Sequence, residues 1–289
     1  MKIATVTAFC PGHISGYFRR ISGDTPAATG SIGAGIVISE GVTATVRAAG
    51  RTSVRIIREG TAPHRHEEIT GSPLLESVIA DLGVSAAVET TCRLPIGAGF
   101  GLSAAALLAT ITALDRLCSL GLSRHEIALR AHEAEVVHRT GLGDVAACQD
   151  GGFAIRKSPG IDGLIEREHG WDGPLFAVSF GPIPTPAVLG TEAKMQQVAS
   201  AFPSREPRGF LDFFSLCREF DRDCGLVTPE VSRVLGACDR AGVPAAMTML
   251  GNGVFACGPD SKPVLGRFGE PVYEFSIART GVRVREGRP

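Results

Sequence analysis

The sequence is poor in the residues that mark several classes of binding protein. Aromatic side chains make up 6% of the 289 residues and include a single tryptophan, Trp171, which argues against a platform for stacking nucleic-acid bases. The formal net charge is −1, without the basic excess typical of proteins that bind nucleic acids or membrane surfaces. No apolar run is long enough to span a bilayer, and the first residues lack the apolar core of a signal peptide. We therefore expect a cytoplasmic protein that binds neither nucleic acid nor membrane.

Cysteine is present, but not in a metal-binding pattern. The chain has eight cysteines, most of them among apolar neighbours, and none forms a Cys-x-x-Cys pair. We interpret them as reduced, partly buried thiols and expect no zinc site. With 44% hydrophobic residues, the chain is long enough for one large or two medium globular domains.

Lysine is absent between Lys2 and Lys157, which excludes the Gly-Lys-Ser/Thr loop of P-loop NTPases from that part of the chain. The dinucleotide-binding fingerprint fails as well at the main glycine-rich segment, because Leu102 stands where a glycine or alanine is needed. A literal match to that fingerprint, Gly251–Ala256, lies late in the chain, and we interpret it as a turn between strands.

The most informative segment is Pro95–Ala106, which carries Gly97, Gly99 and Gly101 and continues into a helix-forming sequence. The glycines allow a tight turn that brings N–H groups close to a ligand. Ser103 and the alanines begin a helix whose first N–H groups are unpaired and whose end is positive. Loop and helix together predict a phosphate site, although a plain strand–helix turn remains the alternative.

The periodicity along the chain predicts two α+β domains, residues 1–160 and 161–289. Strand-like segments dominate the first hundred residues, and Ile3–Phe9 is the first of them. Helices are predicted from Ser103 to Cys118 and, after a capping box at Ser123 and Glu126, to about Arg139. The second half is predicted to contain helices at Ala187–Ala201, at Arg208–Asp223 and after Thr228, with strands between and beyond them, among them Val282–Arg285.

Two carboxylates are candidates for phosphate chemistry. On the second helix, Glu135 shares a face with His132 and lies about 160° from Glu133 around the axis, so only one of the two glutamates can serve a given site. We choose Glu135 as the metal carboxylate and keep Glu133 as the solvated alternative. Asp144 follows Gly141 and Gly143 on a tight turn, where it is either a catalytic base or the cap of the next helix.

Three segments in order along the chain resemble the GHMP small-molecule kinases: Phe9–Gly16, Pro95–Ala106 and Met249–Phe255. Within that superfamily the sequence is most similar to the archaeal pantoate kinase family. This likeness rests on the segments Thr29–Gly35, Gly99–Ala104, His132–Glu135, Thr140–Val145 and Gly151–Arg156.

The resemblance implies a two-domain GHMP kinase fold, with an N-terminal domain like the second domain of ribosomal protein S5 and a ferredoxin-like C-terminal domain. It also implies ATP- and Mg²⁺-dependent phosphorylation of the primary hydroxyl of pantoate to 4-phosphopantoate, a step of coenzyme A biosynthesis, by a homodimer. A kinase for another hydroxy acid or isoprenoid-pathway alcohol, and a GHMP-fold sensor without turnover, are the alternatives.

The resulting hypothesis assigns a role to each candidate residue. Asp144 accepts the hydroxyl proton, Ser103 and Glu135 hold Mg²⁺, and Ser31, His132 and Arg156 bind pantoate, with the planar fork of Arg156 on the carboxylate. Arg156 could equally be a solvated residue at a strand end, and His132 a core histidine. The residues expected to contact the ATP phosphates are Pro95, Gly97, Ala98, Gly99, Phe100, Gly101, Leu102, Ser103 and Ala104.

Overall fold

A computed structural model describes residues 5–60, 67–183 and 192–288, which form two β-sheets covered by helices. The larger sheet has the strand order β12-β1-β2-β5-β3-β4, with β6 paired to β2 and β7 paired to β6, and the smaller sheet has the order β11-β8-β10-β9. The strands are β1 (Thr5–Ile21), β2 (Gly30–Ala48), β3 (Ser53–Arg58), β4 (Glu67–Thr70), β5 (Ala86–Cys92), β6 (Phe153–Arg156), β7 (Ile165–Glu168), β8 (Leu175–Pro182), β9 (Ala245–Met247), β10 (Gly251–Cys257), β11 (Tyr273–Phe275) and β12 (Arg283–Arg288).

Two helices begin at side-chain caps that the sequence predicts. The helix that follows Ser123 has the predicted capping box, in which the Ser123 hydroxyl accepts from the Glu126 N–H and Glu126 bonds back to the Ser123 N–H. The helix after Thr228 has a threonine cap and Pro229 in its first turn, also as predicted. The helices are α1 (Pro73–Asp81), α2 (Leu102–Cys118), α3 (Arg124–His138), α4 (Asp144–Cys148), α5 (Glu192–Ser200), α6 (Phe210–Asp223), α7 (Pro229–Ala241) and α8 (Ser261–Leu265). The predicted α+β class is confirmed.

The first two strands are longer than the sequence predicts. Strand β2 joins and extends two segments, Ala34–Ser39 and Val42–Arg47, that the sequence predicts as separate strands. Strand β1 continues to Ile21, well past the predicted end at Phe9, and pairs with β2 along most of its length. Its register shifts twice, at Pro11/Gly12 and at Ser15/Tyr17. These bulges explain why the prediction stopped early, because proline and glycine interrupt the alternation by which a strand is detected. The extension carries polar residues of β1 into the interior between the two sheets.

Three local predictions need correction. Gly251–Ala256 lies in strand β10 and is not a turn, because the chain reverses just before it, where the Gly251 N–H bonds to the Thr248 carbonyl at 2.7 Å. The helix predicted at 208–223 begins at Phe210. Of the helix predicted at 187–201, residues 187–191 lie outside the described residues, and the rest is α5.

The predicted boundary at residue 160 stays a prediction, but the sheets do not follow it. Strand β7 pairs with β6, and β12 pairs with β1, so both belong to the larger sheet although they come after residue 160. A local pattern predicts that a segment is a strand but carries no information about its partner strand. The last strand of the chain therefore closes an edge of the first sheet.

Aromatic side chains of α6 join the two halves of the molecule. The ring centroid of Phe213 lies 6.0 Å from that of Tyr17 in β1 and 4.9 Å from that of Phe153 in β6, while Phe214 lies 5.3 Å from Phe255 in β10. Offset and edge-to-face pairs at these distances stabilise a core beyond the area that they bury.

Among the described residues, no helix combines the length and the apolar composition needed to cross a membrane.

Candidate active site

The glycine-rich loop connects β5 to α2 and adopts a backbone that glycine favours. Gly97, Gly99 and Gly101 have φ angles of +75°, +82° and +61°. Gly101 is the N-cap of α2 and has no side chain with which to cap it, so the N–H groups of the first turn remain available to a ligand. The backbone of this loop therefore has the form expected of a phosphate site.

The loop is held by the second half of the chain. The Thr248 hydroxyl donates to the Ala98 carbonyl at 3.1 Å, and a side chain at Gly251 would overlap that same carbonyl. A Cβ at Gly99 would lie 3.0 Å from backbone atoms of both Thr248 and Gly251. On its other side the loop is fixed by β1, where the His13 N–H donates to the Phe100 carbonyl at 3.0 Å. The conformation of the loop thus depends on both halves of the molecule.

Ser103 and Glu135 meet at the start of α2. The Ser103 hydroxyl donates to Glu135 Oε1 at 2.5 Å, and Thr140 Oγ1 lies 3.4 Å from the same oxygen. Glu135 is 1% exposed, and its Oε2 has no hydrogen-bond partner among the described residues. The segment that connects α3 to α4 passes close to Glu135 because it has a glycine at position 141. A side chain at Gly141 would overlap the carboxylate. The structure thus brings Glu135, not Glu133, to Ser103.

The environment of Glu135 fits a cation. Burial raises the pKa of this carboxyl group to about 8, and the nearby charge of Asp144 adds to the effect. A divalent ion would supply the positive charge that this site lacks and would occupy the unpartnered oxygen. Among the described residues, no group of three or more His, Cys, Asp and Glu side chains could hold a metal by itself. Such a site suits Mg²⁺, which binds through one or two protein oxygens plus phosphate oxygens.

Asp144 is the first residue of α4 and lines a cavity together with the glycine loop and Ser103. Its Oδ1 lies 2.6 Å from Nδ1 of His13, and its side chain is 22% exposed. The cap of α4 is Gly143, so the carboxylate is not used to begin the helix. It is therefore held by a hydrogen bond and open to a ligand, as a general base must be.

Arg156 lies buried in β6, 3% exposed, and is not the solvated residue of the alternative interpretation. Its Nη1 lies 3.3 Å from Nε2 of His13 and its Nη2 lies 3.4 Å from Oγ of Ser15, while Nε has no partner among the described residues. Burial lowers the pKa of Arg156, whereas the charge of Asp144 acts in the opposite direction. A buried guanidinium with neutral partners is well suited to bind an anion.

The side chains of Ser31 and Arg156 both lie against Gly143. A Cβ at Gly143 would lie 2.5 Å from the Ser31 hydroxyl and 2.7 Å from Arg156 Nε. Only a glycine allows both side chains to approach the residue before Asp144. The structure therefore brings together Ser31, Arg156 and Asp144, which are candidates predicted from three separate parts of the sequence.

His132 is not brought together with them. It is 1% exposed, and its Nε2 lies 2.8 Å from the carbonyl oxygen of Thr29. This position fits the alternative of a core histidine, and the expected contact with substrate stays a prediction. His132 supports the backbone at the beginning of β2, two residues before Ser31.

Sequence reasoning missed the roles of His13 and Ser15. Both lie in the Phe9–Gly16 segment, whose resemblance to a kinase signature was the only signal available. The contact between His13 and Asp144 spans 131 positions, and no periodicity in the sequence indicates it.

The cavity has a volume of about 470 Å³ and is lined by the glycine loop, Ser103, Asp144, Ser15 and Ser31, together with apolar side chains that include Ile56, Leu74 and Leu75. Glu135, His13 and Arg156 lie behind this lining, where they contact Ser103, Asp144 and Ser15 respectively. A volume of this order suits a nucleotide or another molecule of similar size, with a few polar groups in the lining to orient it.

Comparison with known proteins agrees with this geometry. The family model described as GHMP kinases N terminal domain matches residues 72–152, which include the glycine loop, Glu135 and Asp144. The chain is 46% identical over 287 residues to a protein named pantoate kinase from Methanospirillum hungatei, with 99% of each chain covered. It is 31% identical over 269 residues to a pantoate kinase from Thermococcus kodakarensis, with 87% of each covered. A solved structure described as a phosphotransferase related to the CoA biosynthesis pathway is 25% identical, with a TM-score of 0.79 over 97% of this chain and 98% of the other.

Proposed function

Because the chain belongs to the GHMP kinase family and, within it, to the pantoate kinases, we propose that it transfers the γ-phosphoryl group of ATP to the primary hydroxyl of pantoate, giving 4-phosphopantoate for coenzyme A biosynthesis. One observation carries the proposal. Asp144 lines one cavity with the glycine loop, which suits phosphates, and is connected through His13 to the buried Arg156, which suits a carboxylate. An acceptor that is both an acid and an alcohol satisfies this arrangement.

The nucleotide phosphates would be bound by the N–H groups of residues 97–103, where the loop and the start of α2 concentrate unpaired donors. Mg²⁺ would be held by Ser103 and Glu135, and when bound it neutralises charge that develops on the transferred phosphoryl group. The hydroxyl of Ser103 donates to Glu135, so the two proposed ligands lie next to each other.

Asp144 would accept the proton of the acceptor hydroxyl as that oxygen attacks phosphorus. The hydrogen bond from His13 occupies Oδ1 and leaves Oδ2 for the substrate. Arg156 would bind the carboxylate of pantoate through its unpartnered Nε edge, with the hydroxyl groups of Ser15 and Ser31 nearby.

The proposal is tested by incubating the purified protein with ATP, Mg²⁺ and, separately, pantoate, mevalonate or homoserine. We expect pantoate to be converted with stoichiometric release of ADP, and ³¹P NMR to identify the phosphate ester at the primary hydroxyl. Turnover of another alcohol but not of pantoate would contradict the acceptor assignment. Binding of pantoate and ATP without release of ADP would support the alternative of a sensor.

Asp144→Asn tests the base. The amide preserves the shape of the carboxylate but does not accept a proton, so we expect kcat to fall by roughly 10² to 10⁴. Binding of ATP, measured by calorimetry, should stay within about twofold of wild type, since Asp144 is not part of the glycine loop. An unchanged rate of ADP release would remove Asp144 from the role of base.

The homodimer expected from the resemblance stays a prediction, which sedimentation equilibrium can test.

A further inference from the structure

His13 lies between the two groups of opposite charge in the site. Its Nδ1 is 2.6 Å from Oδ1 of Asp144, and its Nε2 is 3.3 Å from Nη1 of Arg156. The side chain is fully buried and passes over Gly35, where any side chain would overlap the imidazole. One ring therefore connects the proposed base directly to the proposed carboxylate-binding residue.

The hydrogen bonds fix the protonation of this ring. A guanidinium has only donors, so Arg156 donates to Nε2, which must be the unprotonated nitrogen. The proton of the neutral imidazole then lies on Nδ1, which donates to Asp144. Burial lowers the pKa of His13, opposed by Asp144 and assisted by the charges of Arg156 and Arg167. His13 is thus a neutral imidazole that accepts a hydrogen bond from Arg156 at Nε2 and donates one to Asp144 from Nδ1.

We propose that His13 is a positioning residue through which binding of the acceptor carboxylate at Arg156 sets the orientation of the Asp144 carboxylate. This inference rests on the proposed function. A bound carboxylate fixes the guanidinium plane, because two parallel hydrogen bonds leave it one orientation. The fixed Nη1 holds the imidazole ring, and the ring holds Oδ1 of Asp144 so that Oδ2 faces the hydroxyl.

An acceptor without the carboxylate leaves Arg156 unconstrained. The loss then appears in kcat as well as in KM, because the orientation of the base affects the transition state and not only the binding of the ground state. The primary amide of pantoate is a suitable probe, since it keeps the size, the hydroxyl groups and the branched carbon but carries no charge. With a purely local role for Arg156, the amide would differ from the acid in KM alone.

Two substitutions separate the two hydrogen bonds of His13. His13→Asn places an amide N–H near the position of Nδ1 and preserves the bond to Asp144, but it does not reach Arg156. His13→Gln places an amide oxygen near the position of Nε2 and preserves the bond from Arg156, but it lacks the Nδ1 donor. Ser15→Ala is the matched control, because it removes the other contact of Arg156 and does not touch His13.

The experiment compares kcat and KM for the acid and for the amide in all four proteins. We expect the wild-type kcat to be roughly 10-fold or more higher for the acid than for the amide. In both His13 variants this kcat ratio should fall to within about twofold of one, while the acid keeps its lower KM because Arg156 remains. Ser15→Ala should raise the KM of the acid and preserve the kcat ratio.

The outcomes are distinguishable. Turnover of pantoate by the wild type with an unchanged kcat ratio in both His13 variants overturns the coupling and leaves the proposed function standing. If the wild type does not phosphorylate pantoate, the proposed function itself fails. Should the variants not fold, ¹⁵N NMR of the histidines in the wild type gives the answer. The acid, but not the amide, should shift the Nδ1–H resonance of His13, and identical spectra with the two ligands overturn the inference.

Discussion

Glu135 shows how burial at a single residue can prepare a site for an ion. The carboxyl group has one oxygen bonded to Ser103 and the other unpartnered, in a place where burial favours the protonated form. A cation that enters this place replaces the proton and removes the cost of burying the charge. We therefore propose that Glu135 binds an ion at the start of α2.

We predict that Glu135→Gln preserves the fold and weakens the dependence of ATP binding on Mg²⁺. Glutamine can still accept from the Ser103 hydroxyl, but it brings no negative charge to the ion. The enhancement of ATP affinity by Mg²⁺, measured by calorimetry, should fall by roughly 10-fold or more, in line with the loss of one charged ligand. Glu133→Gln, on the same helix but away from Ser103, is the matched control. Equal effects in the two variants would contradict the choice of Glu135.

At the scale of single residues, the sequence predicted the identity of the candidates better than their contacts. Ser103, Glu135 and Asp144 do lie around one cavity or against it, because each follows from a local motif whose helix or turn could be recognised. His132 was expected in the acceptor site and instead supports the Thr29 carbonyl. His13 was not singled out, since its importance comes only from partners that are remote along the chain.

At the scale of elements, the glycine loop is the part most sensitive to a small change. We predict that Gly99→Ala lowers ATP affinity by roughly 10-fold or more, since the methyl group meets the Thr248 and Gly251 backbone and forces the loop to move. Gly121→Ala is the control, because this glycine also has a positive φ, +72°, but has open space around it. Both substitutions should cost about 1 kcal/mol of stability through backbone strain, measured by denaturant unfolding. Wild-type affinity in Gly99→Ala would contradict the assignment of the loop.

The junction of α6 and β9 contains a buried carboxyl group outside the site. Asp221 is 3% exposed, accepts the N–H of Met247 at 3.2 Å, and has no partner for Oδ1 among the described residues. Burial raises its pKa to about 7, partly offset by that hydrogen bond and by Arg218. The folded state therefore holds a proton that the unfolded state releases near pH 4.

We predict that stability falls as pH rises from about 4 to about 7 and that Asp221→Asn removes part of this fall. Between these values the folded protein binds more protons than the unfolded chain, so each increase in pH favours unfolding, and above the folded pKa the contribution is constant. The difference in slope between variant and wild type should integrate to on the order of 4 kcal/mol at most. Asp223→Asn, exposed on the same helix, should keep the wild-type slope, and an identical slope in both variants would contradict the prediction.

Among the elements, helices were predicted more accurately than strands. The caps of α3 and α7 and the apolar spacing of α2 are local signals. Helices α2 and α3 begin and end within a residue or two of their predicted bounds, and α7 begins where it was predicted to begin. Strands β1 and β2 were predicted too short, because their bulges and glycines break the alternating pattern. The partner of β12 could not be predicted at all, since pairing with β1 depends on contacts between opposite ends of the chain.

At the scale of the whole molecule, β12 pairs with β1 in the larger sheet, so the fold of the first half of the chain depends on residues at its C-terminal end. We predict that residues 1–160 expressed alone do not form a stable fold, because they lack β7, β12 and the aromatic residues of α6 that cover Tyr17 and Phe153. The amide resonances should be poorly dispersed in an NMR spectrum, in contrast to those of the full chain. Mixing with residues 161–289 should restore dispersion, and a well-dispersed spectrum of the first fragment alone would contradict the prediction.

The contact of Ala98 with Thr248 and Gly251 also constrains how this sequence can be recombined. Consider a chimera of two relatives with the crossover between these segments. Its glycine loop would come from one parent, and the Thr248–Gly251 segment that contacts the loop would come from the other. Because the backbones touch with no room for a side chain at Gly251, a small mismatch in either parent displaces the loop. We therefore expect a functional chimera to need both segments from the same parent, although about 150 positions separate them.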